Sequence, residues 1–254
     1  MRFSPGAALV LAACSFLGAQ NFPKQDPRPG PAALKAGVSD RFTYDVEWRL
    51  IHAGIVVIEA HANHAELHLD SAGIVSNLFR VHDLYAVDYD APLCASHWTM
   101  DAEEGKRHHE SEGAYDRVHG RATYLERDVL KNTTLHSDSV EIPSCTHEVI
   151  GALLKLRTKS IAPGQTIQIP MSDGRRSAEV KVEAQEREEV KTQTGTYQAV
   201  RYEAEMMNGV IYSRKGRAFI WLTDDDKRLP VQIRLRMAFP VGTVTLSLAK
   251  EEHP

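Results

Sequence analysis

The chain has 254 residues and a formal net charge of −4, from 30 basic and 34 acidic side chains. That length suits one large β domain or two small domains, and 43% hydrophobic residues suffice for a sizeable core. The acidic balance argues against a nucleic-acid partner, which shows as a basic domain.

The first residues point to export. Behind Arg2, the stretch Ala7 to Ala19 is apolar except for Cys14, Ser15 and Gly18. About a dozen apolar residues are too few to cross a bilayer and suit the core of a secretory leader. Two processing routes fit. Leu17-Gly18-Ala19 would direct a general signal peptidase to cut before Gln20, giving a leader of residues 1–19. Leu11-Ala12-Ala13-Cys14 also fits a lipobox, with Cys14 as the lipidated residue and peripheral membrane attachment as its consequence. Residues 20–40 read as a Pro-rich linker carrying Pro23, Pro27, Pro29 and Pro31. A single β domain is expected over residues 41–250. Beyond the leader, Cys94 and Cys145 remain. An oxidising compartment favours a disulfide between them over two free buried thiols.

Strand patterns dominate the chain from Arg41 onward. Phe42, Tyr44, Val46, Trp48 and Leu50 alternate with polar residues, the period of a half-buried antiparallel strand. His52-Ala53-Gly54 is expected to turn the chain. Val56 to Ala62 and Ala65 to Leu69 continue the alternation, and the apolar run Ile55 to Ile58 suggests burial on both faces. A short helix is expected over Asn77 to Asp83. Val149, Ile150, Leu153, Leu154 and Leu156 change the period to three and four, so Thr146 to Arg157 reads as an amphipathic helix, with Ser144 or Thr146 as cap. The alternation returns in Val180 to Ala184, Val200 to Ala204, Val231 to Met237 and Val244 to Leu248. Asn208-Gly209 and Pro240-Val241-Gly242 supply turns. The fold class expected is mainly β: an antiparallel, strongly curved sheet forming an open or half-closed barrel, with one helix (146–157) packed inside.

Candidate chemistry is sparse. His108, Glu110 and Glu112 would share one strand face that could supply two zinc ligands, with His97 or His119 as a third, but a solvated polar face in a His- and Glu-rich sequence is the better account. Asp224-Asp225-Asp226 lacks the spacing of a calcium loop and reads as a turn. Among the basic residues, Arg214, Lys215 and Arg217 cluster, and Arg234 and Arg236 share a face that could meet anionic head groups or an acidic partner. There is no nucleophile elbow, no His-Glu-x-x-His and no glycine-rich phosphate loop. No catalytic residue, cofactor or metal ligand is assigned.

Four segments resemble the bacterial domain-of-unknown-function family 3108. They are Phe42-Thr-Tyr-Asp-Val-Glu-Trp48, Ile142 to Arg157, Thr194 to Val200, and Phe219-Ile-Trp-Leu-Thr-Asp-Asp-Asp-Lys-Arg-Leu-Pro230. The resemblance implies an exported or envelope-attached β protein whose helix ends in arginine, and it brings no catalytic residues. The function expected is non-enzymatic: an apolar or amphipathic ligand, such as a lipid, held in a concave β cleft in the periplasm or cell envelope. The alternatives are an assembly factor for an envelope protein and, further off, a metal-dependent hydrolase.

Overall fold

A computed structural model describes residues 39–90, 93–206, 216–237 and 242–253. The leader, Cys14, nearly all of the linker, Asn208-Gly209, Arg214, Lys215 and Pro240-Val241 lie outside the described residues. Eight strands come first: β1 (Asp40–Trp48), β2 (Ile51–Ala60), β3 (His64–Ser71), β4 (Val81–Asp90), β5 (Cys94–Glu104), β6 (Arg107–Asp116), β7 (Arg121–Asp128) and β8 (Thr133–Glu141). A short helix, α1 (Gly73–Leu78), joins β3 to β4, and a second, α2 (Val149–Arg157), follows β8. Six strands then complete the chain: β9 (Thr166–Ser172), β10 (Ser177–Thr192), β11 (Gly195–Met206), β12 (Gly216–Thr223), β13 (Pro230–Met237) and β14 (Thr243–Glu252).

The fourteen strands among the described residues form one open antiparallel sheet in the order β8-β7-β6-β5-β4-β3-β2-β1-β14-β13-β12-β11-β10-β9. Each strand therefore pairs with its neighbours in sequence, except that β14 returns to pair with β1 and that β8 and β9, consecutive in the chain, form the two edges. The expected mainly β fold with a packed helix is what the chain adopts. The sheet curls until its two ends approach each other. Tyr115 on β6 donates to the carbonyl of Ser172 on β9 at 2.7 Å, and a Cβ on Gly174 would collide with the carbonyl of Thr123 on β7.

The residues between β8 and α2 strap this gap. His147 exchanges backbone hydrogen bonds with β9, to Pro170 and from Ser172, while the carbonyl of Thr146 accepts from Ala95 on β5. Cys94 and Cys145 form the disulfide that fastens the strap to β5.

Several local expectations change. The first turn is Arg49-Leu50, both at positive φ, a two-residue hairpin of the hand that matches strand twist. Gly54 lies within β2 instead, where its missing side chain admits the carbonyl of Asp70 on β3. Ile55 is exposed on the convex face, so the run Ile55 to Ile58 is not buried on both sides. Helix α1 precedes the expected position, because Val81, Asp83, Tyr85, Val87 and Tyr89 alternate inward as β4. Helix α2 starts three residues late: Thr146 and His147 are extended in the strap, and Glu148 is the cap in place of Ser144 or Thr146.

Helix α2 lies in the concavity and divides its core. Ile150 and Leu154 pack with Phe42, Tyr44 and Ile58 from the first half of the sheet. Ala152 and Leu156 pack with Val180, Val182 and Tyr202 from the second half. The i, i+4 spacing of each pair puts it on one side of the helix. At its carboxyl end, buried Arg157 donates to Asp40 at 2.8 Å and to the carbonyls of Arg228 and Lys227, over the ring of Phe42.

Cross-linking across 51 residues removes unfolded-state entropy, so Cys94→Ser with Cys145→Ser is expected to cost about 3–4 kcal/mol in urea denaturation. Arg157→Met leaves buried Asp40 with His253 as its remaining partner and is expected to cost up to about 3–5 kcal/mol, part of which Asp40→Asn restores in the double variant. Urea midpoints of the two single variants and the double variant check the coupling.

Candidate functional site

The concave face is not filled. Inward-pointing Leu67, Leu69, Ile220, Ile233, Leu235 and Leu246 are only half-buried. Between them and α2 lies a cavity of about 190 Å³ whose lining side chains are all apolar, among them Ile58, Leu153, Leu156, Ile169, Ala204, Ala218 and Ile233. The sheet is too wide for a nine-residue helix to cover, so a strip of β12, β13 and β14 remains bare beside it.

A second cavity of about 320 Å³ adjoins the first and shares Leu67, Val149 and Met171 with it. Its walls are aromatic. Trp98 stacks on Tyr85 with centroids 5.5 Å apart and meets Tyr124 at 5.8 Å. Trp98 lies flat on β6 because Gly113 has no side chain there to displace the indole. Arg175 from the β9–β10 turn covers the Tyr124 ring at 4.5 Å and pairs with Asp173.

Two buried carboxyls flank this cavity, with opposite environments. Glu148 accepts from Tyr89 at 2.7 Å, Tyr85 at 3.0 Å, and the backbone N–H groups of Ile150 and Gly151. Burial raises its pKa, and these four donors counteract the shift. With its acceptor positions occupied, Glu148 joins α2 to β4 and is poorly placed to move a proton. Asp83 differs. It is 6% exposed, and its Oδ1 has no hydrogen-bond partner among the described residues. Burial first, then the nearby charge of Glu104, pushes its pKa up to about 7.

The candidates read from the sequence lie elsewhere. His108, Glu110 and Glu112 do share a face of β6, on the convex side. Asp101, His108 and Glu110 bring ligand atoms within 4.8 Å of one another, and His108 donates to Asp101 at 2.7 Å. His97 pairs with Glu112 and His119 with Asp116, so neither adds a ligand to that group. An exposed histidine–carboxylate pair accounts for the contact, and we assign no metal to it. His147 is buried, its Nδ1 2.7 Å from the carbonyl of Leu93, and burial lowers its pKa. It belongs to the strap. Asp225 accepts from Thr223, Lys227 and Arg228, and Asp224 pairs with Arg187, so the acidic triplet is the expected turn. Arg234 and Arg236 stack over Trp221 and Phe219, 5.2 Å from each ring, and Arg217 pairs with Glu203.

Asp83, Tyr85, Trp98, Tyr124 and Glu148 were not singled out by sequence reasoning. One signal for Asp83 was present: it has the same strand parity as Tyr85, Val87 and Tyr89, which places a carboxylate on an apolar face.

Because folding raises the pKa of Asp83, its contribution is most favourable below the ordinary carboxylate value of 3.8 and is lost as pH rises towards about 7. Asp83→Asn is expected to be more stable than wild type above that range and to lose its advantage in acid. Urea midpoints across the range check the sign.

The sequence matches the family described as Protein of unknown function (DUF3108) over residues 43–249. No curated protein matches it. Among solved structures, it is similar to a β-barrel-like protein of domain of unknown function DUF1849 from Brucella abortus, with a TM-score of 0.56 and 11% identity, covering 87% of this chain and 99% of that one. A protein described as exported, with a YmcC-like fold, from Bacteroides fragilis aligns at a TM-score of 0.32 and 11% identity, over 89% and 100% of the two chains.

Proposed function

The chain belongs to the DUF3108 family, proteins of unknown function, and from the geometry of its concave face we propose that it is an exported cell-envelope protein that binds an apolar or amphipathic ligand without catalysing its conversion. The observation that carries this reading is the bare apolar strip beside α2. Its half-buried Ile220, Ile233, Leu235 and Leu246 line or adjoin an all-apolar cavity that continues into a second one with a polar rim. An acyl chain would cover the strip, and its polar end would reach Asp83, Asp173 and Arg175. Ligand sites have this composition: mostly apolar walls with few polar groups.

The disulfide supports an oxidising compartment, as does the leader read from residues 1–19. The non-enzymatic reading draws on Glu148, whose acceptor positions are taken by tyrosines and backbone amides. An assembly factor for another envelope protein would instead call for a filled interior, with binding confined to the outer surface.

Native mass spectrometry of protein purified from its own envelope is expected to show an added mass that organic solvent removes. Ala218→Trp places an indole in the cavity and is expected to weaken binding of a fluorescent fatty-acid analogue by about tenfold or more, a loss of at least ~1.4 kcal/mol. A bare native mass together with unchanged probe binding in Ala218→Trp would overturn the reading.

A further inference from the structure

The up-and-down course of the sheet sends alternate connections to opposite ends. Among the described turns, one end carries β1–β2, β3–β4, β5–β6, β7–β8 and β9–β10; the other carries β2–β3, β6–β7, β10–β11 and β12–β13. The two ends differ in chemistry. At the first, the tips present Leu50 (93% exposed), Leu78 (81% exposed), Ile74, Phe79 and Leu130, all exposed to solvent. At the second, the described tips are polar apart from Val118.

The apolar tips adjoin one another. Gly73 of α1 lies beside His52, Ala72 donates to the carbonyl of Ala53, and Gly105 packs under the ring of Phe79 and donates to the carbonyl of Arg80. Helix α1 packs only the partly buried Val75 against the core and leaves Ile74 and Leu78 exposed among the described residues. Interleaved with these side chains are exposed Arg49, Arg80, Lys106 and Arg107, with Lys131 paired to Asp128 and exposed Glu103 and Asp70 set further along β5 and β3, in a chain whose net charge is −4. Cations beside exposed apolar tips complement an anionic lipid surface, where the apolar groups enter the acyl boundary and the cations stay among the head groups. The tips project separately from successive hairpins, which suits a fluid bilayer better than the fixed relief of a protein. The polar-rimmed cavity lies towards this end: Leu69 is near the close of β3, Asp83 near the start of β4, and Arg175 in the β9–β10 turn.

We propose that this end of the sheet docks on an anionic lipid bilayer, with Leu50, Ile74, Leu78 and Phe79 entering the interface. The docking goes beyond ligand binding and does not require it.

The test uses the chain from Gln20 onward, so that neither the apolar leader nor an acyl anchor contributes, in co-sedimentation with vesicles. Wild-type tips are expected to bind phosphatidylethanolamine vesicles containing one quarter phosphatidylglycerol. Leu50→Ser, Ile74→Ser and Leu78→Ser together are expected to reduce that binding by about tenfold or more while leaving the melting temperature unchanged, because all three side chains are exposed. Arg80→Glu with Lys106→Glu should weaken binding to the anionic vesicles and abolish their advantage over phosphatidylcholine vesicles. Ala218→Trp should bind vesicles as wild type does, which separates this docking from occupancy of the cavity. Vesicle binding that is absent, or that survives the triple serine variant, would overturn the proposal. So would a photo-crosslinker at position 78 that labels a protein and no lipid.

Discussion

The structure depends on how α2 is held at both ends across an open sheet. A fourteen-stranded meander has no closing ladder, and a helix of nine residues has too little surface to fix its own position by packing alone. At the amino end, Glu148 gathers two tyrosine hydroxyls from β4 and two backbone amides of the helix. At the carboxyl end, Arg157 joins Asp40 of β1 to the carbonyls of the β12–β13 turn. These are buried charges, which are costly when alone and directional when satisfied. They fix the helix axis relative to the sheet in a way that an apolar contact, which slides, would not.

The strap completes the same constraint. Thr146 and His147 tie β5 to β9, and the disulfide holds the strap where it leaves β5. The two ends of the sheet therefore approach without pairing as strands, and the enclosed space holds the aromatic cavity beside β5 to β7 and the bare apolar strip beneath β12 to β14. The cavity is thus a product of position. The same apolar residues with a free helix would collapse on it.

The strands were legible wherever a polar face alternates with an apolar one, as in Phe42 to Trp48 and Val231 to Met237. The helix was legible from Val149 to Arg157, because the apolar spacing changes there. Its start was misread because Ser144 and Thr146 are good caps by type, whereas the cap position went to a residue whose partners, Tyr85 and Tyr89, are some sixty positions away. The first turn was misread for a related reason. Glycine suggests a turn, but Gly54 serves the approach of β3, and Arg49-Leu50 takes the positive φ instead. The site was mostly illegible. Asp83 carries no motif, and its strand parity with Tyr85, Val87 and Tyr89 was the one local sign that it points inward. His108, Glu110 and Glu112 formed a visible pattern that proved to face outward.

An interior left half-bare is a poor arrangement for stability alone, since covering those leucines and isoleucines would favour the folded state. The residues that could have covered them are small: Ala204 and Ala218 line the floor of the strip where larger side chains would fill it. Small residues below, a helix pinned at a fixed height above, and an unpaired carboxyl oxygen at the rim are independent features. Each is individually unfavourable or neutral for folding. Their coincidence around one space is most simply understood if the missing part of the core is supplied by another molecule.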